Sequence, residues 1–267
     1  MIIGTTFGEE TFRQRNAVQS WRLAFPDATI VLFGEETEPT SKRLGVWWNP
    51  VERYEGIPLL SDIVSKLSGW AAEGKIERVM YINSDIMLAP ESSHALAGRL
   101  AGSEPFLLTG LRTNTWIEDD VILPAPQTWW DDWRKLGKLM EPCGADWFMF
   151  RPGMYADMPP FCVGRTTFDN YLIFAAQQEN AEAVDVTPLV LALHQDHEEN
   201  PDSRTGPLAI RNQELMKSRY PGWTPHMAWV SQMNRVGYGD RKYLSWMAHV
   251  ATRIQPTWVD HMPETEL

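Results

Sequence analysis

Two apolar runs, Val79-Met80-Tyr81-Ile82 and Ile86-Met87-Leu88, enclose the polar triplet Asn83-Ser84-Asp85. A carboxylate between apolar runs is costly to bury without a partner. A divalent cation bound through oxygen ligands is the simplest partner, and Mg²⁺ and Mn²⁺ suit such ligands. An Asp at the carboxyl end of a sheet strand also lies where open α/β sheets bind ligands. The competing reading is a strand-ending turn in which Asn83, Ser84 and Asp85 bond their own backbone. Further along, His194-Gln195-Asp196-His197 follows the apolar run 189–193. Two imidazoles near a carboxylate could hold Zn²⁺, but no third ligand stands at a convincing spacing. A pair of surface histidines in a polar turn is the plainer alternative. Asp169 stands near the start of a helical segment, where a carboxylate is favoured by the helix dipole. Asp146 precedes a short apolar run and also reads as a turn residue. Asp62 and Lys66 have the spacing of a helical surface pair.

Those side chains need elements to hold them. Strands are expected over 2–6, 28–33, 79–82, 106–109, 147–150 and 183–186. Helical spacing marks 11–25, with Ala17, Val18, Trp21 and Phe25 on one stripe, and Pro26-Asp27 ends it. Residues 42–48 read as a short helix and a third strand. Residues 58–73 read as a helix with Pro near its start and Gly74 past its end. Further helices are expected over 92–100, 129–140, 167–178 and 241–254, and 198–207 reads as a mobile loop. Strand and helix alternate through the first half, which implies a parallel sheet with helices on both faces. The expected organisation is one domain over 1–205, with 206–267 a helical C-terminal extension packed on it.

Bulk properties narrow the function classes. The 267 residues suffice for one large α/β domain, and 43% hydrophobic with 22% charged residues is ordinary for a folded chain. A net charge of −11 argues against general affinity for nucleic-acid backbone or anionic membrane. No apolar run is long enough for a transmembrane helix. The run Met1-Ile2-Ile3-Gly4 enters a strand at once and leaves no room for a signal peptide. Cys143 and Cys162 are the only cysteines, too few for a disulfide framework, so reduced thiols and a cytoplasmic location are expected. Thirteen Trp, several paired or clustered, imply interlayer packing, with a subset free to form a stacking floor for a sugar or a base.

Four segments, in order, resemble the GT-A-type glycosyltransferases, which move a sugar from a nucleotide diphosphate to an acceptor. They are the first strand and helix followed by ATIVLFGEE; YINSDIML, similar to the family's Asp-X-Asp motif; GADWFMFRPG; and GRTTFDNYLIF with VDVTPLVLALHQDH. The resemblance covers most of residues 1–200. It implies a GT-A-like (Rossmann-like) α/β fold, a nucleotide-diphospho-sugar donor, and Mn²⁺ or Mg²⁺ bridging the diphosphate. Asp85 is then the leading metal ligand. Asn83 replaces the motif's first Asp and acts through its carbonyl or through water. His194 or His197 supplies a late ligand, with His194 ranked first. Asp169 matches the position of the catalytic base in inverting members, and Asp146 is a second candidate, for sugar hydroxyls. For the nucleotide, the resemblance points to Thr5 and Thr6 at the end of the first strand, and to Glu35, Ser84 and Arg165. It also offers Asp62 and Lys66 a place facing the diphosphate. The acceptor is open: a glycan, a lipid, a small molecule, a protein or a modified nucleic-acid base. A nucleotidyltransferase would want a basic Gly-rich loop after the first strand, where this chain has the acidic Gly4-Thr5-Thr6-Phe7-Gly8-Glu9-Glu10. Asn83 keeps a third reading open, a non-catalytic nucleotide- or sugar-binding protein on a degenerate transferase fold.

Overall fold

The computed structural model describes residues 1–97, 105–141, 144–198, 200–224 and 234–235. The wholly buried run Ile2–Thr6 forms β1. Thr11 starts the first helix by a reciprocal cap: its hydroxyl accepts the Arg13 N–H while Gln14 Oε1 accepts the Thr11 N–H. The elements then run α1 (Phe12–Ala24), β2 (Thr29–Phe33), α2 (Glu38–Leu44), β3 (Trp47–Asn49), the hairpin β4 (Arg53–Tyr54) and β5 (Ile57–Pro58), and α3 (Leu60–Glu73). Next come β6 (Val79–Ile82), β7 (Ile86–Leu88), α4 (Ser92–Ala97), β8 (Phe106–Thr115), α5 (Gln127–Leu136), β9 (Lys138–Leu139) and β10 (Ala145–Phe150). The described chain closes with α6 (Phe168–Gln178), β11 (Glu182–Asp185), β12 (Ala192–Gln195), α7 (Asp202–Thr205), α8 (Pro207–Arg219) and β13 (Asn234–Arg235).

The main sheet has the order β13-β11-β8-β10-β6-β1-β2-β3. Every neighbouring pair is parallel except those of β10, which runs antiparallel to both β6 and β8. This is the mostly parallel α/β layout that the alternation of strand and helix implies. Side chains of α3 and α6 pack one face around Phe33, Tyr81 and Phe148. Those of α1 pack the other around Leu32, Met80 and Trp147. A third, smaller core under α5 joins Met87, Ile117, Trp130 and Leu193. No helix among the described residues is long and apolar enough to cross a membrane.

The ten-residue β8 serves two ladders. Its first part pairs with β10 and β11, whereas Arg112 to Thr115 pair with β12, which also pairs antiparallel with β7. Gly110 lies at the changeover. A Cβ there would stand 2.9 Å from the Thr187 backbone nitrogen, so any larger residue would displace the backbone that follows β11.

Several expected boundaries shift. Pro58 ends β5 and does not enter the helix, because the hairpin claims it before α3 begins. The helix expected over 129–140 starts earlier and stops at Leu136; Lys138–Leu139 then pair with β8 as β9. His194 lies inside a strand, not after one. The loop expected over 198–207 contains the short helix α7 and the start of α8. Residues 98–100 of the expected 92–100 helix, the whole 241–254 helix, Cys143, Trp229, Trp246 and Trp258 lie outside the described residues. Within the expected extension, Met216 and Trp223 are buried in the main core. Asn212 of α8 accepts the Cys162 N–H and donates to the carbonyls of Cys162 and Thr166.

Candidate active site

The register that aligns β7 with β12 places His194 opposite Ile86, one residue from Asp85. Asp85 Oδ2 stands 3.4 Å from His194 Nε2 and 3.1 Å from His197 Nε2. One ligand atom from each of the three residues lies within 4.8 Å of the others. These side chains come from the turn after β6, from β12 and from the segment just beyond it.

The donor set fits a cation. Asp85 Oδ1 and His194 Nδ1 are buried and have no hydrogen-bond partner. Asp196 Oδ1 is 3.8 Å from His194 Nδ1, too far for a bond. His197 Nδ1 faces the Glu198 carbonyl at 2.9 Å, and a carbonyl only accepts, so Nδ1 carries the hydrogen. The neutral ring therefore directs its Nε2 lone pair at the Asp85 carboxylate. Two acceptors 3.1 Å apart need a proton or a metal ion between them. Without an ion the proton takes that place: the Asp85 hydrogen bond raises the His197 pKa above its ordinary value, more than burial lowers it. Burial opposes ionisation of Asp85, but the bonds from His194 and His197 outweigh it and hold the carboxyl below the usual range. One carboxylate with two imidazoles suits Mn²⁺ and equally Zn²⁺. The carboxylate that the sequence spacing could not set beside the two histidines is Asp85, brought there by the fold.

Polar groups behind the triad hold it still. Gln195 is fully buried. Its backbone N–H and its side-chain Nε2 both donate to the Asp85 carbonyl, at 3.2 and 3.1 Å. Asn16 of α1 donates to Gln195 Oε1 at 2.9 Å and accepts the Val121 N–H. From the same helix, Trp21 Nε1 donates to the Ile86 carbonyl and Ser20 Oγ accepts the Leu88 N–H. Thus α1 satisfies the edge of β7 that no strand covers.

Asn83 is bonded sideways. Its Nδ2 donates to Asp146 Oδ1 at 2.7 Å, and its N–H donates to the Asp146 carbonyl. Arg112 Nη1 donates to the other oxygen, Oδ2, at 2.6 Å. An Asp at position 83 would set two carboxylates against each other there, which explains the amide. Asp169 lies in the first turn of α6, with Oδ1 buried and without a partner. Burial pushes its pKa up; the Asn170 backbone N–H works against this and the charge of Asp146 adds to it, leaving the carboxyl at about 6. The preceding Thr167 has φ +91°, a left-handed conformation that costs a β-branched residue roughly 1–3 kcal/mol. The Asn212 bonds to Cys162 and Thr166 help to hold that turn.

Thr6, Glu35 and Asn83 stand at or just past the carboxyl ends of β1, β2 and β6, which are adjacent in the sheet. Thr5 Oγ1 is buried and unpartnered, whereas Thr6 Oγ1 donates to the Phe33 carbonyl. Ser84 accepts a 3.3 Å bond from Gln14. Glu35 is exposed and pairs with Arg53, which also holds Glu36. Lys66 donates to Asp62 and to the Pro50 carbonyl, the surface-pair alternative of the sequence reading. Arg165 donates to the carbonyl of its neighbour Gly164. Asn16, Arg112 and Gln195 escaped the sequence reading. Asn16 and Ser20 did leave a trace, as two polar positions one turn apart on the buried side of α1.

No family model matches the chain, and neither does any curated protein. Many solved structures show distant likeness, and three of them are these. The crystal structure of S. aureus TarS 1-349 in complex with UDP-GlcNAc has 10% identity over 99% of this chain and 82% of that one, with a TM-score of 0.48. A putative nucleotide-diphospho-sugar transferase from Desulfovibrio desulfuricans G20 has 12% identity over 81% and 96%, with a TM-score of 0.40. The bifunctional IspDF from Campylobacter jejuni has 10% identity over 70% and 48%, with a TM-score of 0.41.

Proposed function

We propose that this protein is a metal-dependent glycosyltransferase that moves a sugar from a nucleotide-diphosphate donor to an acceptor hydroxyl. The observation that carries this reading is the Asp85, His194 and His197 cluster, with Asp85 Oδ1 buried and unpartnered, at the carboxyl edge of a mostly parallel sheet. Mn²⁺ or Mg²⁺ held there would neutralise the charge that builds on the diphosphate as the glycosidic bond breaks. Asp146, fixed by Asn83 and Arg112, has lone pairs left to orient hydroxyls of the transferred sugar. Asp169 is the base: near neutral pH its carboxylate accepts the acceptor's hydroxyl proton while that oxygen bonds the anomeric carbon and the nucleoside diphosphate departs. Attack assisted by a separate base points to inversion. The base or ribose would lie at the carboxyl end of β1, where Thr5 is wholly buried and Thr6 ends the strand. The Gln14–Ser84 bond shapes the turn beside it.

Residues 1–205 carry the site in this reading. Residues 206–267 are an extension of the same unit, whose Asn212 supports the turn before Asp169. A free, buried Cys162 accords with a reducing, cytoplasmic setting. Asn83 does not favour a degenerate, non-catalytic protein, because Asp146 accounts for the amide.

The test is the melting temperature of the purified protein against a panel of nucleoside diphosphates, with and without Mn²⁺. A ligand bound only by the native state raises it by mass action. A shift with one nucleotide that requires the metal is expected and would identify the donor's base. A shift with Zn²⁺ alone and none with any nucleotide would replace this reading with a zinc hydrolase built on the same triad.

A further inference from the structure

From Leu111 onward, burial alternates along the last part of β8 and beyond it. Leu111, Thr113, Thr115 and Ile117 are buried, while Arg112, Asn114, Trp116 and Glu118 lie on the open face. That face belongs to the site: Arg112 binds Asp146, and Asn114 is paired with His194 in the parallel ladder. The Asp196 N–H donates to the Thr115 carbonyl and carries the pairing past the strand end. Trp116 therefore stands two residues, about 7 Å, beyond Asn114 on the face that carries the metal ligand.

Trp116 is 60% exposed, yet it is braced. Trp133 of α5 meets it edge-on, with ring centroids 5.0 Å apart. Trp133 meets Trp129 at 6.2 Å, and Trp129 meets the fully buried Trp130 at 4.8 Å. A chain of rings thus ties an open indole to the core, so little side-chain freedom remains to be lost on binding. Trp47, the other largely exposed indole among the described residues, lies on β3 at the far end of the sheet.

We propose that Trp116, backed by Trp133, is an acceptor subsite for a neutral sugar ring, an inference that rests on the transferase reading. The C–H face of a pyranose packs against the negative face of an indole. Exposed carboxylates lie close along the backbone: Glu118 and Asp119 follow Trp116 in the chain, and the N–H of Asp196 bonds the carbonyl of Thr115 just before it. They accept hydrogen bonds from sugar hydroxyls and repel phosphate, sulfate and nucleic-acid backbone, as does the net charge of −11. A neutral glycan satisfies both features; an anionic lipid headgroup or polynucleotide satisfies neither.

Titration of tryptophan fluorescence with cellotriose, maltotriose and chitotriose, and with a sulfated disaccharide as anionic control, tests the subsite. At least one neutral trisaccharide should bind. W116A should weaken it about tenfold, the size of one well-seated aromatic contact. W116F should fall between, and W47A should match the wild type. Equal binding by W116A, preference for the sulfated sugar, or no binding of any neutral trisaccharide would each overturn the subsite. The nucleotide–Mn²⁺ melting shift, measured on the same proteins, separates the two readings. W116A should keep that shift, whereas its absence from the wild type would sink the transferase assignment and leave the saccharide result standing alone.

Discussion

Asp85 and Asp169 are both half-buried carboxylates near the carboxyl edge of the sheet, and each has one oxygen without a partner. Burial disfavours the charge on both. At Asp85, two imidazoles from β12 and its continuation reverse the effect. At Asp169 burial is the largest cause and the charge of Asp146 adds to it, so its pKa rises to about 6. Paired carboxylates pushed in opposite directions are the usual mark of divided roles. One stays charged at any working pH and suits a cation. The other exchanges a proton near neutrality. The supports differ as well. Asp85 is held by strand register and by Gln195, and Asp169 by a strained helix start tied to α8.

The largest expected effect follows from removing the charged member. D85A should abolish both turnover and the Mn²⁺-dependent melting shift while the fold persists, a loss beyond the roughly 10- to 100-fold typical of an outer partner. Full activity in D85A would dissolve the contrast, because Asp85 would then be structural.

D169N should lower turnover by roughly 10²- to 10⁴-fold, the usual contribution of a positioned base, and keep the metal-dependent nucleotide shift. The wild-type rate should fall as pH drops through about 6. Stability runs the other way. A carboxyl whose folded pKa is raised contributes stability that is present below its unfolded value, near 3.8, and is lost as pH rises through about 6. D169N should therefore gain stability relative to the wild type between those pH values. A melting-temperature difference that stays flat from pH 4 to pH 7 would contradict the raised pKa.

The smallest effect is expected behind the triad. Q195L removes the side-chain bonds to the Asp85 and Arg13 carbonyls and leaves Asn16 Nδ2 only the Asp119 carbonyl as acceptor. Mn²⁺ affinity should fall roughly 10- to 100-fold, with little change in the Asp169 pH limb. An equal change in both would show that the two centres do not separate.

Much of the frame was legible because it obeys local rules. The order of strand and helix, the helical spacing over 11–25 and the uninterrupted apolar runs place β1, α1, β2 and β6 within a residue or so. Asp85 declared itself by interrupting an apolar stretch. Lys138 and Leu139 misled because their helical spacing carries no mark of the β8 edge they pair with. The triad was legible as candidates and not as a cluster, since no rule of spacing brings position 85 beside 194.

By itself, then, the sequence determined that this chain forms an α/β sheet, that its acid-and-amide triplet sits at a strand end, and which histidines are eligible partners. These follow from the hydrophobic effect and backbone hydrogen bonding acting over a few neighbours. Only the tertiary structure decided that β7 and β12 share a register, that Asn83 answers Asp146, and that Trp116 opens onto the same face as His194. Pairing between strands more than a hundred residues apart depends on the whole packed core, and a shift of one residue would turn each of those side chains to the opposite face.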